Sequence, residues 1–228
     1  MITPTSPLPS PTATVEPLPS PTPVLGARQL LEETIAKLGR AGSYRFTISA
    51  THSYMFENTM VEWRYQGQGA YAAPARYEWS IEGQADVTLH VVAVGNQTYC
   101  ADTRGRQTEC SLAWGGPSPG SSPYTLLAYL RNFEGVGQLE TSSLEGKDYY
   151  HFPFSPSKAE VAALDEAHQA AMASVSTVQG ELWVDKATGL PRREKVVVEC
   201  TVSPGRQQKV EMTLSFFDFG QPVEISLP

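Results

Sequence analysis

Residues 44–51 read Tyr-Arg-Phe-Thr-Ile-Ser-Ala-Thr, and this stretch decides the fold. Tyr44, Phe46, Ile48 and Ala50 alternate with Arg45, Thr47, Ser49 and Thr51. Successive side chains on a strand point to opposite faces, so the period of two predicts one buried face and one wet face. The pattern recurs at Val61, Trp63, Tyr65, at Tyr77, Trp79, Ile81 and at Val87, Leu89, Val91. It returns late in the chain at Val196, Val198, Cys200, Val202 and at Val210, Met212, Leu214, Phe216. Runs spaced in this way, with turn residues between them, predict an antiparallel meander of about eleven strands.

Three helical segments accompany the strands. In Ala27–Arg40, Leu31, Ile35 and Leu38 share a face opposite Glu32, Glu33 and Lys37, with Gly39 and Gly42 as stop signals. Ser122-Pro123 is an N-cap with proline at the first helical position, leading into a run with Leu126, Leu127 and Leu130 on one side. Ser155-Pro156 repeats the device before an alanine-rich segment, 156–173. Val161, Leu164 and Met172 are its large aliphatic residues, so it is expected to pack lightly and to be a mobile lid. The predicted class is α+β: an antiparallel sheet of about eleven strands, curled because a strongly twisted open sheet of that size curls, under three short helices on its concave face. Such a sheet either closes into a filled barrel or keeps a cavity beneath the helices.

Residues Pro4 to Pro23 hold eight prolines among Thr, Ser and Leu. Proline fixes φ and removes backbone donors, so residues 1–25 are expected to be a disordered polyproline tether, with the globular domain in 26–228. A Met directly before such a spacer suggests a start that replaces a signal peptide and a lipid-bearing Cys. The net charge of -7 and the scattered 17 basic residues argue against nucleic acid or anionic headgroups as partners. Arg192, Arg193 and Lys195 are the densest basic group and read as a solvated face.

Catalytic and metal signatures are missing. His52, His90, His151 and His168 are far apart in sequence, with no zinc spacing, so no metal site and no cofactor is expected. No GxSxG, P-loop or GxGxxG occurs. Asp185 opens DKATGLP, which suits a hairpin turn better than a cation loop. Glu181 and Glu194 read as wet-face residues rather than a glycosidase pair, and the chain is expected not to be an enzyme. Asn96-Gln97-Thr98 is a formal glycosylation sequon that reads as a hairpin end. If a turn is centred near Gly105, Cys100 and Cys110 lie opposite each other at a separation that a disulfide spans. Cys200 is then left over, with a role the sequence does not assign.

Val178-Gln179-Gly180-Glu181-Leu182-Trp183-Val184-Asp185, followed by Gly189-Leu190-Pro191, resembles the LolA-like bacterial lipoprotein carriers of the LppX/LprG type. So do the closing Phe216-Phe217-Asp218-Phe219-Gly220, Pro222-Val223 and Ile225, which read as a terminal edge. The resemblance implies a half-barrel around helices, an apolar cavity, and binding or transfer of lipid across the envelope. It implies an extracytoplasmic, membrane-anchored lipoprotein, expected to be a monomer. The expected lining is Phe46, Ile48, Trp63, Leu89, Leu126, Leu130, Leu182, Val198, Met212 and Leu214. The alternative is a cell-envelope sensor or assembly module of the same fold that binds a partner protein.

Overall fold

The computed structural model describes residues 26–56, 59–83, 88–95, 97–102, 104–107, 130, 134–157, 175–203 and 206–227. Helix α1 (Ala27–Arg40) comes first, followed by β1 (Ser43–Phe56), β2 (Thr59–Ala72), β3 (Arg76–Gly83), β4 (Thr88–Val94) and β5 (Gln97–Asp102). The second run is β6 (Glu140–Leu144), β7 (Lys147–Phe154), β8 (Val175–Asp185), β9 (Pro191–Ser203) and β10 (Arg206–Phe217). All ten strands form one antiparallel sheet in the order β5-β4-β3-β2-β1-β10-β9-β8-β7-β6. The sheet is open, and its first and last strands meet at its centre. The expected count of about eleven thus becomes ten among the described residues.

Among those residues α1 is the one helix. Its bounds are those the heptad-like spacing predicts, and Leu31, Ile35 and Leu38 are fully buried. It runs through Gly39, and the turn out of it uses Gly42 at φ +75. The other two expected helices fall almost wholly outside the described residues.

Register fixes the two faces. Tyr44, Phe46, Ile48, Ala50 and His52 of β1 stand beside Phe216, Leu214, Met212 and Val210 of β10. On the other side β1 meets β2 at Tyr71, Gly69, Gly67, Tyr65 and Trp63. One core cluster draws on this inner face from Val91 and Cys100 in β4 and β5 to Phe152 and Leu182 in β7 and β8, with α1 inside it. Glycine has a specific use here. A Cβ at Gly67 or Gly69 would collide with Ile48 or Phe46 and with the backbone of β3. Bare backbone at β2 therefore lets the β1 side chains lean over it.

The outer face has a smaller core. Ala70, Ala72, Val92 and Ile225 are buried together, with Val94, Val223 and Leu227 packed against them. The closing segment, expected as a terminal edge, instead crosses the back of the sheet. Its apolar residues at 223, 225 and 227 alternate, and that side goes down onto β2 and β4. Strand β4 is thereby buried on both faces, which is why LHVVAV reads as an almost unbroken apolar run.

Candidate ligand-binding site

Seven of the ten expected lining residues belong to the inner core cluster: Phe46, Ile48, Leu89, Leu130, Leu182, Met212 and Leu214. Val198 is half-buried on the same face, paired with Val210. Trp63 is 37% exposed, on the inner face but beyond the packed core. Leu126 lies outside the described residues.

The inner face changes character along the strands. At the α1 end, Tyr44, Phe46, Phe216, Leu214 and Trp79 are packed against one another and against the helix. Tyr44 stacks on Tyr71 at 5.0 Å and meets Phe216 edge-on at 5.9 Å. Farther along, Val178, Val198, Val210 and Tyr65 are only half-buried. The strip ends in a cleft of about 250 Å³ lined by His52, Tyr54, Trp63, Tyr65 and Gln208. There the Trp63 indole N–H donates to the Tyr54 oxygen at 3.2 Å, and the His52 and Tyr54 rings lie 5.4 Å apart. Burial lowers the pKa of His52 and raises that of Tyr65, so both are neutral at pH 7. A larger cleft, near 700 Å³, opens on the outer face between Arg45, Gln68, Glu78 and Pro222. Its lining is polar and is separated from the apolar core by the sheet, so it offers no continuation of the core.

Glu194 is where the sequence reading and the structure part. Expected on the wet face, it is instead 2% exposed on the inner face, between Leu182 of β8 and Leu214 of β10. Its Oε2 has no hydrogen-bond partner, and burial pushes its pKa up to about 8. Glu181 points to the opposite face, with its carboxylate 3.4 Å from His151 Nε2, so the two carboxyls cannot act as a pair across one substrate. In the basic group, a register shift between Trp183 and Val184 leaves Arg192 as an extra residue on β9. Arg192 and Arg193 both reach Glu145, at 3.1 Å and 2.9 Å.

Asp185 is a turn residue, as its sequence context predicts. Its Oδ1 accepts the backbone N–H of Ala187 and of Thr188 at 2.9 Å each, and Lys147 holds Oδ2. Gly189 follows at φ +68 and donates its N–H to the Asp185 carbonyl at 2.7 Å. Cys100 is disulfide-bonded, whereas Cys200 is a free thiol half-buried on the inner face. Cys110 and Asn96 lie outside the described residues. The β5 turn is centred on residue 104, through the bridge Ala101–Gln107, one residue before the expected centre at Gly105.

No protein-family model matches the chain, and no curated sequence does. Solved structures do match. LprF from Mycobacterium bovis is 11% identical, with 89% of this chain and 96% of LprF covered at a TM-score of 0.52. A LolA superfamily protein from Nitrosomonas europaea, NE2245, is also 11% identical, covering 86% of this chain and 96% of that one at a TM-score of 0.38. The MucA/MucB complex of Pseudomonas aeruginosa matches at 15% identity over 87% of this chain and 59% of that one, at 0.35. Of these, LprF alone is close enough in shape to bear on the fold. At 11% identity the match shows the fold alone: this chain shares the architecture of LprF.

Proposed function

We propose that this chain is an extracytoplasmic lipoprotein that holds a lipid or similar amphiphile along the inner face of a curled half-barrel and carries it across the envelope. One observation carries the reading: the inner face continues past its packed core as a half-exposed apolar strip that ends in an aromatic cleft. A closed core has no use for such a strip, and an acyl chain does. Moving two chains of about 15 carbons through water costs on the order of 20 kcal/mol, so unaided transfer is negligible and a carrier must replace the bilayer. The inner-face positions from Tyr44 to His52 of β1, Trp63 to Tyr71 of β2, Val178 to Val184 of β8, Glu194 to Cys200 of β9 and Gln208 to Phe216 of β10 carry no Lys or Arg, which suits an apolar cargo over an anion. The bonded state of Cys100 agrees with an oxidising compartment. In this reading residues 1–25 are a dispensable spacer between the domain and a membrane anchor, the domain works as a monomer, and its role is binding without catalysis.

The test is mass spectrometry of an organic extract of the purified protein, joined to binding of a fluorescent phospholipid. Val210→Trp or Val198→Trp fills the half-exposed strip and should leave the fold intact while abolishing binding. Leu214→Trp strikes the packed core and should destabilise by roughly 1–3 kcal/mol. A clean extract, no probe binding by the wild type, and a co-purifying protein instead would sink the carrier reading in favour of a partner-binding module.

A further inference from the structure

Three buried side chains around the interior have a polar atom without a hydrogen-bond partner: Thr34 Oγ1, His52 Nε2 and Glu194 Oε2. Thr34 lies on the buried stripe of α1, fully covered, between Leu30 and Leu38. His52 and Glu194 belong to the inner face of the sheet. An unpaired polar group in an apolar interior is destabilising, and a carboxyl is worse than a hydroxyl. A leucine or methionine would fill the Glu194 position more favourably, since its register neighbours are Leu182 and Leu214. Nothing in the described chain meets its Oε2. A group that the described residues leave unsatisfied and the packing does not require is open to a partner from outside the chain.

We infer that Glu194 is an interior hydrogen-bonding subsite for an uncharged oxygen group of the bound amphiphile, a hydroxyl or an ester. This inference rests on the carrier reading and narrows its cargo. Buried among leucines, Glu194 is protonated at neutral pH, so its O–H donates and its carbonyl accepts. A carboxylate or phosphate placed against it meets no Lys or Arg at the neighbouring inner-face positions, Leu182, Val196, Met212 and Leu214, and would have to enter this interior as a bare charge. An ammonium would favour the ionised carboxylate, with the proton lost to solvent, and leave a buried ion pair with no further partners. An acyl ester with a free hydroxyl needs no charge and satisfies both sides of the carboxyl. The ligand class is therefore a neutral, partly esterified acyl chain rather than a free fatty acid anion.

The experiment compares a monoacylglycerol with the fatty acid of the same chain length at pH 7, on the wild type, Glu194→Gln and Glu194→Leu. The wild type should prefer the monoacylglycerol by tenfold or more. Glu194→Gln keeps a donor and an acceptor and should stay within about threefold of the wild type. Glu194→Leu should fold, with stability raised, and lose roughly tenfold in monoacylglycerol affinity while still binding an uncharged hydrocarbon probe of the same length. If Glu194→Leu binds the monoacylglycerol as the wild type does, or the wild type prefers the fatty acid, the subsite is refuted and the carrier reading stands. If the wild type binds none of the three probes, the carrier reading and the subsite are both refuted.

Discussion

Phe154 lays its ring over the backbone of Gly180, its register partner on the neighbouring strand, in the space that a Cβ at that position would occupy. Phe154 is 3% exposed and Leu182, two residues on from the glycine, is fully buried, so the ring has nowhere to retreat. Gly180→Ala should therefore destabilise the domain by about 1–3 kcal/mol despite alanine's better strand propensity. Urea unfolding measures it; a neutral or stabilised variant would show that the ring is free to move.

Asp185 organises the β8–β9 turn with one carboxylate oxygen and binds Lys147 with the other. Those bonds hold its carboxyl below the usual range against the opposing effect of burial. Asp185→Ala should cost about 1–2 kcal/mol, and Asp185→Asn should recover most of it because the amide oxygen still accepts the two backbone N–H groups. If both variants lose the same amount, the ion pair with Lys147 is the important part and the turn is not.

Stability should fall as pH rises from weakly acidic to weakly alkaline. The Glu194 pKa is raised from 4.5 to about 8 in the fold. Between those values the folded state holds a proton that the unfolded state has lost, so stability declines with pH across that window, by on the order of 5 kcal/mol in all. Below the lower value the contribution is fully present; above the upper it is gone. The inner faces of β8 and β10 and the buried stripe of α1 put no titratable group against it, and His52 on β1 is two inner-face rows away. Glu194→Gln should flatten the decline, as followed by thermal melts from pH 5 to 9. A wild type and variant with parallel curves would refute the buried, protonated state.

Peptide mapping should find Cys100 joined to Cys110, with Cys200 as a thiol. Cys100→Ser should lower stability by at most about 3 kcal/mol, the upper range for closing so short a loop. Cys200, half-buried with its pKa raised by burial, should react slowly with a thiol reagent until the domain unfolds. Recovery of a Cys100–Cys200 peptide would overturn the pairing.

Alternation alone was enough to place the inner face of β1, β3 and β10, because a one-residue slip would expose every one of their large side chains. The same rule, applied one step farther, puts Glu194 in line with Val196, Val198 and Cys200. Charge suggested water where parity pointed to the core, and parity was right. Arg192 shows the rule's limit: an extra residue in β9 breaks the count, and no local signal in PRREK marks it. Trp63 lies on the inner face that alternation predicts, beyond the packed core and in the aromatic cleft. Period two reports the side of a strand, whereas how far a packed core extends along it depends on what the other strands and α1 bring there. The back-crossing of residues 223–227 carried an alternating signal that fits a strand edge equally well, and only the apolar outer patch of Ala70, Ala72 and Val92 decides between them.

The seam between β1 and β10 has a consequence for how the molecule is made. Each half of the sheet, β1–β5 and β6–β10, is a meander of sequence neighbours and can form as its residues emerge during synthesis. The two halves join only through a pairing that spans residue 45 to residue 217, so β1 waits with a naked edge until β10 has been added. Ile225, which seals the back, arrives later still. A chain stopped after β9 would thus retain most of its hydrophobic residues yet present two half-sheets with open edges at β1 and β9, a shape suited to pairing with another copy rather than with itself.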